Sequence, residues 1–522
     1  MSSKVDITQS KFDPRLIIDI YSHHFSVYKP YDKDKKMLID FCRPLGQYGN
    51  KQIGRGRFVR AILRVFAVAS KDRSQFRFHI SQLNDFLVHC KNYNVNDNYI
   101  QFRRHYLFKP VYVNFDYHDK RIPRDYQQPI IDYVVSKGKF KVVELDPGRG
   151  KTFIACTAMN ILKVRTFFCI KAQYIEKWIN DLNESFNIKP EDIMVIKGSK
   201  NLKRLIELGK EDELNAKVIL CSSTTMGMFL KDYEIYGSDI DQLGFGCAPH
   251  QIWETLGIGL KVVDESHEFL HFNYRLTLYT HVQKTLDLSG TLIHDDPFIK
   301  RVLRILHPPE IRYTEDNHQV HTRVEALFYS IRNVDSRIKY ENKAMKAYSH
   351  VKLEQSIMKN NTLFDGYTQM IMDIVKKRYV NNHESGQKMI VYFSTKEMCT
   401  RFWEIAEETF EELNVVRYIG EDEYEDMLEG DLIVSTLKSL GTAIDIPKLR
   451  YILMTDALGS IQMNVQALGR LRPLKDYPGT DPVFMYLVCR DIGKHIIYHQ
   501  KKVEIFKDRV LSHNVKNLDY VL

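Results

Sequence analysis

Glutamate is missing from the first 120 residues of this 522-residue chain, although 11 aspartates and 21 lysines and arginines occur there. That stretch carries +10, while the remaining 402 residues hold 54 bases against 55 acids and are nearly neutral. So one-sided a segment points to a polyanionic partner, because fixed positive charge gains free energy by releasing counterions condensed on a phosphate backbone. A long apolar run is also lacking: none reaches the roughly 18 residues that span a bilayer. The N-terminus, MSSKVDITQSKFDPRL, has neither the apolar core of a secretory signal nor the Arg/Ser-rich, acid-poor pattern of a transit peptide. A cytoplasmic protein with no membrane partner is therefore expected. No CxxC pair and no His/Cys cluster at zinc-ligand spacing is found among the eight cysteines (Cys42, Cys90, Cys156, Cys169, Cys221, Cys247, Cys399, Cys489). They read as reduced thiols that pack in the core, with Cys156, Cys169 and Cys221 inside apolar runs.

What is present is a rhythm. From Phe140 onward, short apolar runs alternate with amphipathic helical stretches, the pattern of parallel α/β sheets. Residues 140–146, 165–170, 217–222, 260–266 and 284–290 read as the buried strands of one sheet. A polar, proline-bearing stretch, LHPPEIRYTEDNHQ, then reads as a connection, after which residues 388–394, 415–420, 431–436, 451–455 and 483–489 read as strands of a second sheet. The chain closes on IIYHQKKVEIFKDRVL, expected to be a terminal amphipathic helix. Before Arg121 the reading is α+β: YIQFRRHYLFKPVYVNFDY alternates like antiparallel strands, HISQLNDFLVHCKNY looks helical, and GQYGNKQIGRGRFVR looks like a Gly-rich basic loop. At roughly 100 to 200 residues per domain the length suits three domains: 1–115 basic, 116–308 a first α/β lobe, and 309–522 a second.

The chemistry lies at the ends of the expected strands. FKVVELD runs into Pro147, Gly148, Arg149, Gly150, Lys151 and Thr152, followed by a helical stretch. A phosphate cradle needs this context: Gly148 and Gly150 let backbone N–H groups wrap phosphates, Lys151 reaches them, and Thr152 holds Mg²⁺. The full GxxxxGK[ST] pattern is not met, since Leu145 stands where its first glycine would be. The apolar LKVV delivers Asp264 and Glu265 at a strand's C-terminal end. Asp264 would hold Mg²⁺ through water and Glu265 would orient and deprotonate the attacking water, with His267 coupling this site to a strand-binding groove. Upstream, Arg124 and Gln127 open a helix, and the Gln127 amide, donor and acceptor at once, suits adenine. In the second lobe, Gln466-Ala467-Leu468-Gly469-Arg470-Leu471-Arg472 supplies a glutamine and two guanidinium groups, which stabilise charge on a transferring phosphoryl group.

Taken in order, RDYQ, GRGKT, DESH, SGT (Ser289, Gly290, Thr291), IVYFST, STLKSLGTAIDIP and QALGRLR resemble motifs Q, I, II, III, IV, V and VI of superfamily 2 helicases over roughly residues 121 to 490. DESH, with no long insertion between the lobes, looks closest to bacteriophage branch-migration DNA helicases of the UvsW type. The resemblance implies two tandem RecA-like P-loop lobes with parallel sheets, ATP held between them, Mg²⁺, and nucleic acid across the top. It carries over Gly441 and Asp445 as residues that couple the second lobe to ATP, and Ser289 and Thr291 as coupling residues. It also marks Lys171, Thr224, Ser394, Thr395, Thr436 and Lys438 as strand contacts. The family pattern places its last arginine seven residues after the glutamine, whereas Arg472 is six after Gln466 and Pro473 takes the expected place. Arg470 is the preferred finger, with Arg472 the alternative.

Between Gly49 and Phe66 the chain gathers Lys51, Arg55, Arg57, Arg60 and Arg64 with Phe58 and Phe66. Arginines interleaved with aromatics suit backbone neutralisation and base stacking, while the bland alternative is an amphipathic helix with a solvated basic face. The resemblance implies a small N-terminal domain that grips duplex DNA. The function expected is an ATP-dependent, monomeric DNA helicase or translocase acting on forks, D-loops or R-loops. Alternatives are a motor that displaces RNA from RNA–DNA hybrids, and a binding scaffold with a decayed ATPase.

Overall fold

The computed structural model describes residues 4–28, 31–54, 57–118, 120–146, 148–314, 320–342, 347–420, 422, 424–440 and 446–522. The chain divides into two units: the first is Met1–Leu145, Arg149–Leu292 and Asp296–Glu315, and the second is Asp146–Gly148, Ile293–Asp295 and Asp316–Leu522. Among the described residues no helix is long and apolar enough to cross a membrane.

The first unit is built on two sheets. The larger has seven strands in the order Ile193–Ile196, Val218–Ser222, Thr166–Ile170, Leu260–Val263, Lys284–Ser289, Phe140–Glu144, Arg312–Thr314, and every pairing is parallel. Strands covered by helices on both faces are predominantly apolar, and VILCS and TFFCI are buried at every position. The last strand, Arg312–Thr314, comes from the stretch the sequence assigns to a connection.

The smaller sheet is mixed, in the order Val5–Thr8, Ile100–His105, Leu16–Ile20, His24–Tyr28, Gln75–His79, Val68–Ala69, with helices Lys35–Cys42 and Leu83–Lys91 on it. Of the alternating segment 99–117, Ile100–His105 is a ladder strand, and beyond it Tyr112 and Tyr117 make isolated antiparallel bridges to Val164 and Phe186. The stretch read as a Gly-rich basic loop, with an amphipathic helix as its alternative, is neither: Gly46–Gly54 and Arg57–Val65 pair antiparallel as a two-stranded ribbon. β-Branched residues at Ile53, Val59, Ile62 and Val65 favour the extended backbone there.

Both sheets share one core, in which Leu16, Phe25, Phe78 and Phe86 belong to the same buried cluster as Phe167, Trp253 and Tyr274. Their seam is rich in buried histidine. His24 Nδ1 faces the Thr280 carbonyl at 3.1 Å while its Nε2 meets Arg77 Nη1 at 3.0 Å. Arginine can only donate, so Nε2 must accept and Nδ1–H donates to the carbonyl. His281 Nδ1 accepts from Ser22 N–H at 3.1 Å, and its Nε2–H donates to the Tyr106 carbonyl at 3.1 Å. Both rings are held neutral by their partners. Burial pushes His281 down to about 4 and His79 and His250 to about 3, and takes His23 and His24 well below the ordinary value.

A base whose folded pKa is depressed stabilises the fold above its unfolded value of about 6.5, and that stability is lost as pH falls from there toward the folded value. Between pH 7 and 5.5, His24 and His281 together should cost about 2 to 3 kcal/mol. The melting temperature of the chain should therefore drop on acidification through this window, read by calorimetry. A melting temperature constant from pH 7 to 5.5 would show the seam to be protonated already or absent.

The second unit carries a seven-stranded sheet in the order Val415–Tyr418, Leu432–Thr436, Lys388–Phe393, Leu449–Met454, Val483–Cys489, Arg323–Ser330, Ser512–Val521, again parallel at every pairing. Its two faces bury separate clusters, one around Tyr367, Phe393 and Phe402 and the other around Ile433, Met454 and Phe484. The expected terminal helix is Gly493–Phe506, and the chain then returns as the edge strand Ser512–Val521. Seven of the eight cysteines are buried, Cys42 is half-buried, and all are unpaired.

Candidate active site

In both lobes several of the sequence-selected residues lie at or just beyond the C-terminal ends of parallel strands. In the first, strand Phe140–Glu144 leads to Gly148 at φ +79° and Gly150 at φ +81°, then to helix Lys151–Leu162. These left-handed conformations suit glycine, and Gly150 has a second reason: a Cβ there would lie 2.4 Å from Gln127 Nε2. Gln127 is buried against the loop, donating from Nε2 to the Arg149 carbonyl at 3.1 Å and accepting at Oε1 from Arg124 N–H at 3.0 Å. The Arg149 guanidinium stacks 3.7 Å above the Tyr126 ring. RDYQ thus braces the phosphate loop from below.

Lys151 Nζ donates to the Leu145 carbonyl at 3.1 Å and stands 3.7 Å from Glu265 Oε1, so loop and DESH box meet. Strand Leu260–Val263 ends one residue earlier, and Glu265 takes φ +47°, an uncommon conformation for a side chain other than glycine. His267 Nδ1 lies 2.7 Å from Ser289 Oγ and 3.4 Å from Glu265 Oε2, and Ser289 donates to the Thr291 carbonyl at 3.0 Å. Burial holds His267 down at about 4. The ring is therefore neutral at pH 7 and bridges the DESH acid to the end of strand Lys284–Ser289.

Two residues that sequence reasoning did not select complete this site, both on helix Ile175–Ser185. Trp178 Nε1–H donates to Asp264 Oδ2 at 3.0 Å, while Asp264 Oδ1 accepts from the Glu265 N–H at 2.9 Å. Asp181 hydrogen-bonds the Thr152 hydroxyl, and its buried Oδ2 has no hydrogen-bond partner among the described residues. Burial raises both carboxyls, and the neighbouring Glu265 raises Asp264 further. The one signal in the sequence was the three-residue step from Trp178 to Asp181, which puts an indole N–H and an acid on one helix face. Thr152, Asp264 and Asp181 present hard oxygen donors, one of them unsatisfied, a set that fits Mg²⁺. Trp178→Phe keeps the ring beside Phe168, 4.6 Å away, and removes only the N–H. Losing such a supporting hydrogen bond costs about 10- to 100-fold, so the variant should need more Mg²⁺ for half-maximal ATP turnover. A Mg²⁺ titration superimposable on wild type would deny Trp178 this role.

Of the expected strand contacts in this lobe, Lys171 follows strand Thr166–Ile170, pairs with Glu268 and lies 4.9 Å from the Phe269 ring. Thr224 is exposed in the first turn of helix Ser223–Tyr236, whose N-cap is Ser222.

In the second lobe, Ser394 and Thr395 follow strand Lys388–Phe393, and Thr395 caps helix Lys396–Thr409. Their backbone N–H groups donate to the fully buried Glu354 carboxylate at 2.7 and 2.8 Å, and the Thr395 hydroxyl adds a third bond at 2.8 Å. Thr436 ends strand Leu432–Thr436 and accepts from Ser439 N–H at 3.0 Å, with Lys438 exposed at the tip. Gln466 lies on helix Ile461–Leu468; just beyond it Arg470 is buried, and half-buried Arg472 donates to the Gly469 carbonyl. Gly441 and Asp445 lie outside the described residues, as does Arg55 in the ribbon turn.

No protein-family model and no curated protein matches the chain. Among solved structures, a fragment assigned to the HsdR subunit of a type I restriction enzyme from Vibrio vulnificus is 14% identical, with 77% of this chain and 69% of that one covered at a TM-score of 0.50. S. cerevisiae Dbp5 bound to RNA and ADP BeF3 is 12% identical (77% and 91% covered, TM-score 0.49). The Hef helicase domain of Pyrococcus furiosus is 14% identical (73% and 98%, TM-score 0.42). At such identity a likeness speaks for fold, and the sheet orders above agree with it: the chain consists of two tandem RecA-like α/β lobes with parallel sheets and an N-terminal mixed-sheet domain.

Proposed function

We propose that this chain is an ATP-dependent DNA helicase or translocase that remodels branched DNA such as forks, D-loops and R-loops, working as a monomer. The observation that carries the reading is the continuous set Lys151, Glu265, His267 and Ser289, which links a phosphate loop to an acid and the acid to the neighbouring strand end. The seven motifs in superfamily 2 order support it.

In this reading the backbone N–H groups between Gly148 and Lys151 bind the phosphates of ATP, and Lys151 neutralises their charge. Mg²⁺, held by Thr152 and Asp264, would add charge neutralisation on the phosphates. Glu265 orients the attacking water and accepts its proton at an Oε. Arg470, with Gln466, is the second lobe's contribution to the phosphoryl group, and Arg472, Gly441 and Asp445 support that side. Gln127 and Arg124 tie adenine recognition to the phosphate loop. His267 passes the state of Glu265 to Ser289 and Thr291. Lys171, Thr224, Ser394, Thr395, Thr436 and Lys438 hold the phosphate backbone of a strand, a sequence-independent contact.

The test is strand displacement on a labelled fork, a four-way junction, a DNA–RNA hybrid and an RNA duplex with ATP. Conversion of the branched DNA, absent with Lys151→Ala, is expected. Displacement confined to RNA-containing substrates would replace the DNA assignment, and no displacement anywhere would remove the motor.

A further inference from the structure

Helix His350–Met358 of the second unit lies outside all seven motifs, and it turns two buried side chains, one helical turn apart, toward two different loops. Glu354, fully buried, holds the first loop: it accepts from the Ser394 N–H, the Thr395 N–H and the Thr395 hydroxyl. The Ser394 hydroxyl bonds Asp456. Every polar hydrogen of Ser394 and Thr395, two residues assigned above to a strand, is thus already given to a carboxylate. A phosphate can take those donors only if the carboxylates let go.

His350 holds the second loop, residues 455–460, which leads from strand Leu449–Met454 to the helix that bears Gln466. Its Nδ1 accepts from the Ala457 N–H at 3.2 Å. A backbone N–H can only donate, so the ring carries its proton on Nε2. The same reasoning orders the neighbours. The Cys489 N–H donates to His495 Nδ1 at 3.1 Å, His495 Nε2–H donates to the Tyr348 oxygen at 2.5 Å, and the Tyr348 hydroxyl donates to His350 Nδ1 at 2.6 Å. Each donor in this chain is matched except the last. The His350 Nε2–H is buried with no hydrogen-bond partner among the described residues and stops 3.8 Å short of Glu354 Oε1. Loop 455–460 is in turn tied to the next helix, because buried Asn464 donates to the Leu458 carbonyl at 3.2 Å and to the Ser460 carbonyl at 2.7 Å. Burial holds the His350 ring neutral, its pKa down at about 3. Burial also pushes the Glu354 carboxyl up, while its three donors draw it back down.

We infer that Glu354 and His350 are positioning residues of a relay inside the second lobe. When a strand phosphate takes the Ser394 and Thr395 donors, the released carboxylate closes the 3.8 Å gap to the His350 Nε2–H. His350 then shifts its hold on loop 455–460, which sets the helix bearing Gln466 and, beyond it, Arg470. The inference deepens the motor reading above and rests on it for both the strand and the finger. Its direction follows from burial: a carboxylate stripped of its donors in a buried site is costly, and the unpaired imidazole N–H one turn away is placed to supply a new one. Coupling between two sites needs an element with two discrete arrangements. A carboxylate that must choose between two sets of donors is such an element.

Two variants of the full chain separate this relay from a merely structural role. Glu354→Gln keeps the shape of the side chain and removes the charge that competes with phosphate. Without nucleotide it should bind labelled single-stranded DNA about fivefold tighter or more, the scale of a modest coupling, and yet lose most of the rise in ATP turnover that the strand brings. A carboxylate that only props the loop predicts the reverse, weaker binding. His350→Asn keeps an acceptor for Ala457 and Tyr348 and removes the Nε2–H. It should bind the strand about tenfold more weakly, the worth of one hydrogen bond to a charged group, keep wild-type basal turnover and lose stimulation by the strand. In Glu354→Gln/His350→Asn the stimulated turnover should be no lower than in either single variant, since both remove the same step. Strand affinity unchanged or lowered in Glu354→Gln, or losses that multiply in the double variant, overturns the relay. Binding is read without ATP, so a wild-type chain that hydrolyses none removes the motor reading and leaves the two affinity shifts to decide the exchange at Glu354. A wild-type chain stimulated by the strand, with His350→Asn stimulated equally, removes the relay and leaves the motor.

Discussion

Lys151→Ala should abolish ATP turnover while leaving the fold and the affinity for nucleic acid close to wild type. The lysine ammonium lies between the Leu145 carbonyl at 3.1 Å and Glu265 Oε1 at 3.7 Å, beside the loop proposed to hold the phosphates. Its removal takes away the charge that binds the phosphates and also leaves Glu265 with His267 as its remaining close cation-capable neighbour, 3.4 Å off. Glu265→Gln isolates the second effect: it keeps the shape of the side chain and removes a proton acceptor, a role worth about 10²- to 10⁴-fold. We expect Glu265→Gln to bind ATP as tightly as wild type and to hydrolyse it at least about 100-fold more slowly, read by single-turnover hydrolysis. Retained turnover in Glu265→Gln would move the base elsewhere, with Asp264 the first candidate.

The second large effect concerns the other lobe. Arg470→Ala should lower the hydrolysis rate about 10³- to 10⁵-fold, the range over which an arginine finger acts, with nucleotide affinity much less affected. Lysine should not rescue it, because a point charge lacks the planar fork that matches phosphate oxygens. Arg472→Ala should do less. Arg472 donates to the Gly469 carbonyl, so part of its role is to hold the turn that presents Arg470. A larger loss in Arg472→Ala than in Arg470→Ala would exchange the two assignments and fit a family pattern shifted by one residue.

How far the fold could be read in advance follows from burial. All ten strands expected after Phe140 are present, because a strand covered on both faces is predominantly apolar and stands out against its surroundings. The strands that escaped are edges, short pieces or half-exposed ones. Ser512–Val521 mixes half-buried and exposed positions under SHNVKNLDYV, a polar string, and is a strand because it pairs with Arg323–Ser330. Arg312–Thr314 looked like part of a connection because Pro308 and Pro309 precede it. The ribbon was misread for a specific reason: Arg57, Arg60 and Arg64 recur at steps of three and four, a helical spacing. The antiparallel register shows instead Arg60 on one face opposite Asn50 and, past the register shift at Gln47/Tyr48, Arg64 on the other face opposite Gln47.

The site divides in the same way. Lys151, Glu265, His267 and Ser289 were legible because each lies at or just beyond a strand's C-terminal end at a spacing the chemistry requires, and the structure brings them together. Trp178 and Asp181 were not, since an indole N–H aimed at a carboxylate and an acid under a threonine are matters of packing between helix Ile175–Ser185 and the strand ends. The tie between Gln127 and the phosphate loop depends likewise on how two segments fold against each other. Glu354, which holds the N–H groups of Ser394 and Thr395, lies 40 residues from the loop it organises, with no motif to mark it.

The most direct measurement is steady-state ATP turnover by the intact chain, titrated in parallel with single-stranded DNA, a four-way junction, an R-loop and RNA. The account predicts low turnover alone and a many-fold rise on DNA, greatest on the branched substrates. A rate that stays the same in the absence and presence of every one of these nucleic acids would contradict it.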